Sequence, residues 1–189
     1  MARIDYGNLG GASYLLRMQA LAVICPLDIV ARDRAWIEDV RALHDPQYDL
    51  VEPHFTLVFP TIGVSLETLI RHVDEIAART PAVGFRLCRA EAVRDSLATR
   101  SLVFLVPDEG EAEIRGLHSA LYAGDLASSL RADIPYQPHV TVAAFETQSA
   151  ADSLARELGE FHVKGRLRTM ALVSLDAGTI RQEALLPLL

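Results

Sequence analysis

Positive charge is what this chain of 189 residues is short of. Its 18 Lys and Arg face 25 Asp and Glu, giving a formal net charge of −7 and a pI of about 5.3. The field of such a molecule repels a long polyanion, which excludes long nucleic acid as an expected partner and leaves a small phosphate ester admissible wherever cations gather locally. Cysteine is scarce too. Cys25 and Cys88 belong to no CxxC pair and no Cys/His cluster of zinc spacing, so they are expected as small buried apolar residues of a reduced, cytoplasmic protein. Long hydrophobic runs are missing: the longest, Ala20 to Leu27, falls far short of a membrane span, and Met1 to Gly11 contains Asp5 and polar residues in place of a signal pattern. A soluble protein without a membrane partner is expected. Half of the residues are nevertheless hydrophobic, enough for a sizeable core in one domain, and a monomer is the expected state.

Residues 1–17 hold Gly7, Gly10 and Gly11 without periodicity and read as an irregular N-terminal extension, with 18–189 as a single bilobal domain. Gln19 to Cys25 suits a buried strand, and Asp28 is placed to cap a helix through His44 with Trp36, Ile37, Val40 and Leu43 on one face. A loop from Asp45 to Pro53 precedes a strand over His54 to Phe59. Ser65 then opens a helix that Pro81 forbids from continuing. Strands follow over Val83 to Val93 and Ser101 to Val106, joined by a turn at Asp95-Ser96. A helix over Glu109 to Tyr122 and a long loop to Pro138 come next. The order then repeats: a strand over His139 to Phe145, a helix over Ser149 to Leu158, and strands near Phe161 to Leu167, Thr169 to Leu175 and Thr179 to Leu186. In both halves a strand carrying His-x-Thr precedes a helix and two strands, which predicts two similar α+β lobes, with mainly antiparallel sheets flanked by helices, around a central groove.

Residues i and i+2 of a strand share a face. His54 and Thr56 therefore point one way while Phe55 and Leu57 point the other, and His139, Thr141, Val140 and Val142 divide in the same manner. A groove between the two strands would receive two imidazoles and two hydroxyls. That set matches phosphodiester cleavage without a metal. A neutral imidazole takes a proton from the attacking oxygen and an imidazolium gives one to the leaving oxygen, both forms being accessible near the ordinary pKa of about 6.5. The hydroxyls hydrogen-bond the non-bridging oxygens. Each His follows a proline, Pro53 or Pro138, and the matched pair arises by chance in about 10⁻⁴ of shuffled chains or fewer.

Pro53-His54-Phe55-Thr56-Leu57 and Pro138-His139-Val140-Thr141-Val142 resemble the two signature motifs of the two-histidine (2H) phosphoesterase superfamily, which includes RNA ligase T-like proteins and cyclic phosphodiesterases. The resemblance extends to the element order from about residue 18 to 189. It implies a bilobal α+β fold and no cofactor. It also implies activity on 2',3'-cyclic phosphates or 2'-5'-linked nucleotides, with His54 and His139 as acid and base and Thr56 and Thr141 binding phosphate. A small nucleotide or an RNA terminus is the expected substrate. A 2'-5' RNA ligase and a nucleotide-binding module without turnover are the alternatives.

Tyr48 and Tyr136, in the loops before the motif strands, are candidates for stacking on a base, and Arg131 for reaching a phosphate. Lys164, Arg166 and Arg168 alternate, so they either line the groove or protect an edge strand. His44, His72, His118 and His162 read as packing or surface residues. Zinc would need a third ligand beside His54 and His139, for which Glu52 is the nearest in sequence.

Overall fold

The computed structural model of the protein describes residues 19–94 and 99–189, so the N-terminal extension and the expected turn at Asp95-Ser96 lie outside the described residues. The chain opens with strand β1 (Ala20–Pro26), an apolar run buried along most of its length. A two-residue strand β2 (Asp28–Ile29) and helix α1 (Ala31–His44) follow. Asp28 does not cap α1. It pairs in register with Arg166 and its carboxylate takes the Arg168 guanidinium, and this extended backbone delays the helix so that Val30 holds the cap position with no side-chain hydrogen bond. The inner face of α1 also differs from the expected one. Ile37 and Arg41 are buried, while Leu43 is 78 % exposed.

Strand β3 (His54–Thr61) leads to helix α2 (Leu66–Ala77), whose cap Ser65 accepts the Thr68 N–H and whose Leu69, Val73 and Ile76 are buried. Strand β4 (Val83–Arg94) is followed by β5 (Ser101–Glu109), which runs through Pro107 before Gly110, at φ 82°, turns the chain into helix α3 (Glu111–Leu121). A Cβ at Gly110 would stand 2.2 Å from the Gly84 carbonyl oxygen, so only glycine fits this turn. The following loop contains a 3-10 helix over Gly124–Ser129. Strand β6 (Val140–Phe145), helix α4 (Gln148–Leu158, capped by Thr147), β7 (Val163–Leu167), β8 (Thr169–Asp176) and β9 (Thr179–Pro187) complete the order.

The strands form two antiparallel sheets, β3-β1-β8-β9 and β2-β7-β4-β5-β6. The lobes are therefore not the two halves of the sequence. The two strands after the second motif separate, β7 joining the sheet of β6 and β8 the sheet of β3. The repeated unit is strand, helix, motif strand, helix: β1, α1, β3 and α2 in one lobe, β5, α3, β6 and α4 in the other. The first helix of each unit packs on the motif strand of the opposite lobe, α1 on β6 and α3 on β3. The core lies between the sheets. Phe55 and Leu57 of β3 and Val140 and Val142 of β6 are fully buried in it, and Phe55 meets Phe85 edge-on with centroids 5.3 Å apart.

Candidate active site

Each motif lies on the edge strand of its sheet, and the two edges approach one another. Because Phe55, Leu57, Val140 and Val142 fill the core, the alternate residues His54, Thr56 and Thr141 are turned away from it and remain half-buried, as does His139 just before β6. Ile24 pairs with Thr56 and Pro26 with His54. These pairings continue through Ala22, Ala171 and Val173 into an apolar wall on the same face.

The two histidines are held in the same way. His54 Nδ1 lies 2.7 Å from the Glu52 carbonyl and His139 Nδ1 lies 2.6 Å from the Gln137 carbonyl, each two residues upstream across a proline. A carbonyl only accepts, so both rings donate from Nδ1, which leaves Nε2 as the nitrogen that can accept a proton. Among the described residues neither Nε2 has a hydrogen-bond partner. His139 also stacks on Phe104, with centroids 3.6 Å apart and planes 17° apart. Phe104 stands opposite Thr141 in register, so one β5 residue sets the ring plane.

Burial lowers the pKa of both imidazoles. For His139 the value falls to about 4, burial being reinforced by the charge of His54. For His54 burial again leads, with the Arg41 guanidinium acting in the same direction and the Glu52 carbonyl against it. The His54 charge thus makes protonation of His139 harder. The Thr56 and Thr141 hydroxyls make no hydrogen bond to a described residue and are free to donate to a ligand.

The other candidates are placed differently. Tyr136 is half-buried, its hydroxyl bonded to the Thr56 carbonyl and its ring stacked on His118. Tyr48 is exposed, beneath the Arg41 guanidinium at 5.9 Å from its centroid. Arg131 is exposed and paired with Asp133 through both Nε and Nη2, without contact to either motif. Strand β7 is neither at the groove nor at the edge. It lies between β2 and β4, with β4 and β5 separating Lys164 and Arg166 from β6, while Arg168 pairs with Asp28. His72 bonds the Leu121 carbonyl, His44 lies against Phe145 and His162 is exposed. Glu52 is ion-paired with Arg34, and among the described residues no three His, Cys, Asp or Glu gather as a metal site would require.

The residues that hold the histidines left one readable trace. Both motifs begin with a Glu or Gln before the proline, Glu52-Pro53-His54 and Gln137-Pro138-His139, and a residue before proline is confined to the extended region, which aims its carbonyl. Their side chains are anchored too, Glu52 by Arg34 and Gln137 by Glu91 at 2.7 Å. Phe104 and Glu91 come from strands remote in sequence and left no such trace.

Residues 29–179 match the profile of the 2'-5' RNA ligase superfamily. The chain belongs to that superfamily. It is thereby a two-histidine phosphoesterase-type protein, and its fold agrees. Escherichia coli LigT complexed with 3'-AMP aligns over 91 % of this chain and 99 % of its own, with a TM-score of 0.54 at 20 % identity. A Thermus thermophilus protein aligns over 89 % of this chain and 97 % of its own, with a TM-score of 0.59 at 14 % identity. In sequence, a Bacillus licheniformis protein that carries the name of a phosphoesterase is 29 % identical over 105 residues. That match takes in 54 % of this chain and 59 % of the relative, so the chain spans less than two thirds of the length of that protein.

Proposed function

We propose that the protein hydrolyses a phosphodiester of a small nucleotide or an RNA end, most simply a 2',3'-cyclic phosphate. One Nε2 takes the proton of the attacking water as its oxygen bonds to phosphorus. The other, protonated, gives its proton to the ribose oxygen as the P–O bond breaks, leaving a monoester. Thr56 and Thr141 donate to the two non-bridging oxygens, where negative charge is held in the transition state. The observation that carries this reading is the matched pair of rings, each with Nδ1 committed to a backbone carbonyl and Nε2 free, beside two unengaged hydroxyls. The complexes of LigT with 3'-AMP and ATP support the nucleotide class. The superfamily's name keeps ligation as a second reading, in which an RNA hydroxyl replaces water as the attacking oxygen on the cyclic phosphate, the same imidazoles serve as base and acid, and a diester is left in place of the monoester.

The test is turnover of 2',3'-cyclic nucleotides by EDTA-treated protein. His54→Ala and His139→Ala are each expected to lower kcat by about 10²- to 10⁴-fold, and the double variant by little more. Tight binding without turnover supports a binding module instead, and loss of activity with EDTA supports a metal. Turnover that survives both substitutions rules the mechanism out.

A further inference from the structure

Among the described residues strand β3 has no neighbour strand on its outer edge, and side chains from the other lobe close that edge instead. The Tyr136 hydroxyl donates to the Thr56 carbonyl at 3.0 Å, His118 Nδ1 donates to the Leu57 carbonyl at 2.8 Å, and the Phe59 N–H donates to the Tyr122 oxygen at 3.0 Å. Closure of this kind satisfies backbone groups that an edge would leave open. The three side chains also pack on one another. The Tyr136 ring lies flat on His118, with centroids 3.7 Å and planes 1° apart, and His118 lies 4.8 Å from the Tyr122 ring. Phe59 meets Tyr136 edge-on at 6.3 Å.

Tyr136 differs from the other two because it reaches both motifs. Its hydroxyl holds the carbonyl of Thr56, whose own hydroxyl faces the groove. Its carbonyl accepts from Arg115, and the next carbonyl along the chain, that of Gln137, holds His139 Nδ1. With one face on His118, an edge against Phe59 and the hydroxyl engaged, the ring is committed to the protein and not offered to a base.

We propose that Tyr136 is a positioning residue, a strut between the Thr56 carbonyl and the segment that carries His139, which sets the gap between the two imidazoles across the groove. The role rests on the two-histidine reading above. General acid and base must both stand within hydrogen-bond reach of one phosphate, and a misplacement of about 1 Å costs on the order of 10²-fold. Burial pushes the Tyr136 phenol up, so it stays a donor throughout the working pH range.

Tyr136→Phe keeps the ring stack and removes only the strut's hydroxyl. With a 2',3'-cyclic nucleotide, kcat is expected to fall by about 10-fold or more, with KM within about twofold. In a His54→Ala background the same substitution is expected to change the residual rate less than about twofold, since there is no longer a pair to position. A loss confined to KM, or a full loss repeated in that background, overturns the proposal in favour of base stacking or a general structural role. A second measurement needs no substrate. The His139 titration is followed by NMR in the wild type, His54→Ala, Tyr136→Phe and the double variant. Removing His54 is expected to raise the His139 midpoint, and to raise it less when residue 136 is Phe. An equal rise in both backgrounds overturns the positioning role. The smaller rise together with no turnover by the wild type leaves that role standing and removes the functional reading alone.

Discussion

A proton on His54 makes a second on His139 more costly, and burial disfavours both. The form of the free protein that can act as acid and base holds one proton on the pair, and the apparent pKa values belong to the pair. Because both shifts are downward from 6.5, with His139 at about 4, that form is lost as pH rises through a value below 6.5. The expected profile of kcat/KM is a bell with its maximum below pH 6.5, falling about tenfold per unit above it. A bound phosphodiester anion favours the imidazolium, so kcat is expected to hold to higher pH than kcat/KM. A kcat/KM flat from pH 6 to 8 contradicts this account. At the threonines the hydroxyls bind no described residue, so activity and stability separate. Thr56→Val and Thr141→Val are each expected to lower kcat by roughly 10²-fold, while at these half-buried positions, where no hydrogen bond within the protein is lost, stability is expected to shift by about 1 kcal/mol or less and the melting temperature by about 4 °C or less.

At the scale of elements, the loop between α1 and β3 is held by a buried cation. Arg41, 1 % exposed, donates to Asp45 at 2.8 Å, to Glu38 at 3.1 Å and to the Val51 carbonyl at 2.6 Å. This loop ends at Glu52, whose carbonyl holds His54, so α1 positions one half of the site through Arg41. Removing one partner of a buried pair strands the other, here an Asp45 side chain that is 5 % exposed. Arg41→Met is expected to destabilise the protein by about 3 to 5 kcal/mol, a drop of about 10 °C in melting temperature. Adding Asp45→Asn is expected to recover part of the loss, because a neutral side chain costs less to bury. Urea unfolding of the three proteins decides it; wild-type stability in Arg41→Met contradicts the anchoring role.

For the whole molecule, the crossing of α1 and α3 onto the opposite motif strands ties the lobes together, and we propose that 18–189 unfolds as one unit. Fluorescence of Trp36, packed on Phe161 at 5.0 Å, and far-UV circular dichroism are then expected to report coincident transitions. Acid acts through His54, His118 and His139, each lowered chiefly by burial. Between about 6.5 and about 4 the unfolded chain binds more protons than the folded one, so stability rises with pH in that window. It is complete above pH 6.5 and lost progressively as pH falls toward 4. Urea midpoints measured every half unit are expected to decline over this interval. Constant midpoints would show the imidazoles to be solvated.

Period-two alternation along a strand and the turn and cap residues are local properties, so the sequence determined the motif geometry and most element spans: His54 with Thr56, His139 with Thr141, Ser65 at its cap, Asp176 to Gly178 at its turn. Strand partnership is decided by contacts between residues far apart in the chain, where local pattern has no purchase. Only the tertiary structure sent β7 and β8 to different sheets, drew Asp28 into a strand with its carboxylate on Arg168, and left Arg131 at the surface with Asp133. The same is true of Tyr136. Its place before His139 is plain in the sequence, but whether its ring meets a ligand or the back of the other motif depends on which edge the fold leaves open. Here the outer edge of β3, unpaired with any described strand, takes the Tyr136 hydroxyl.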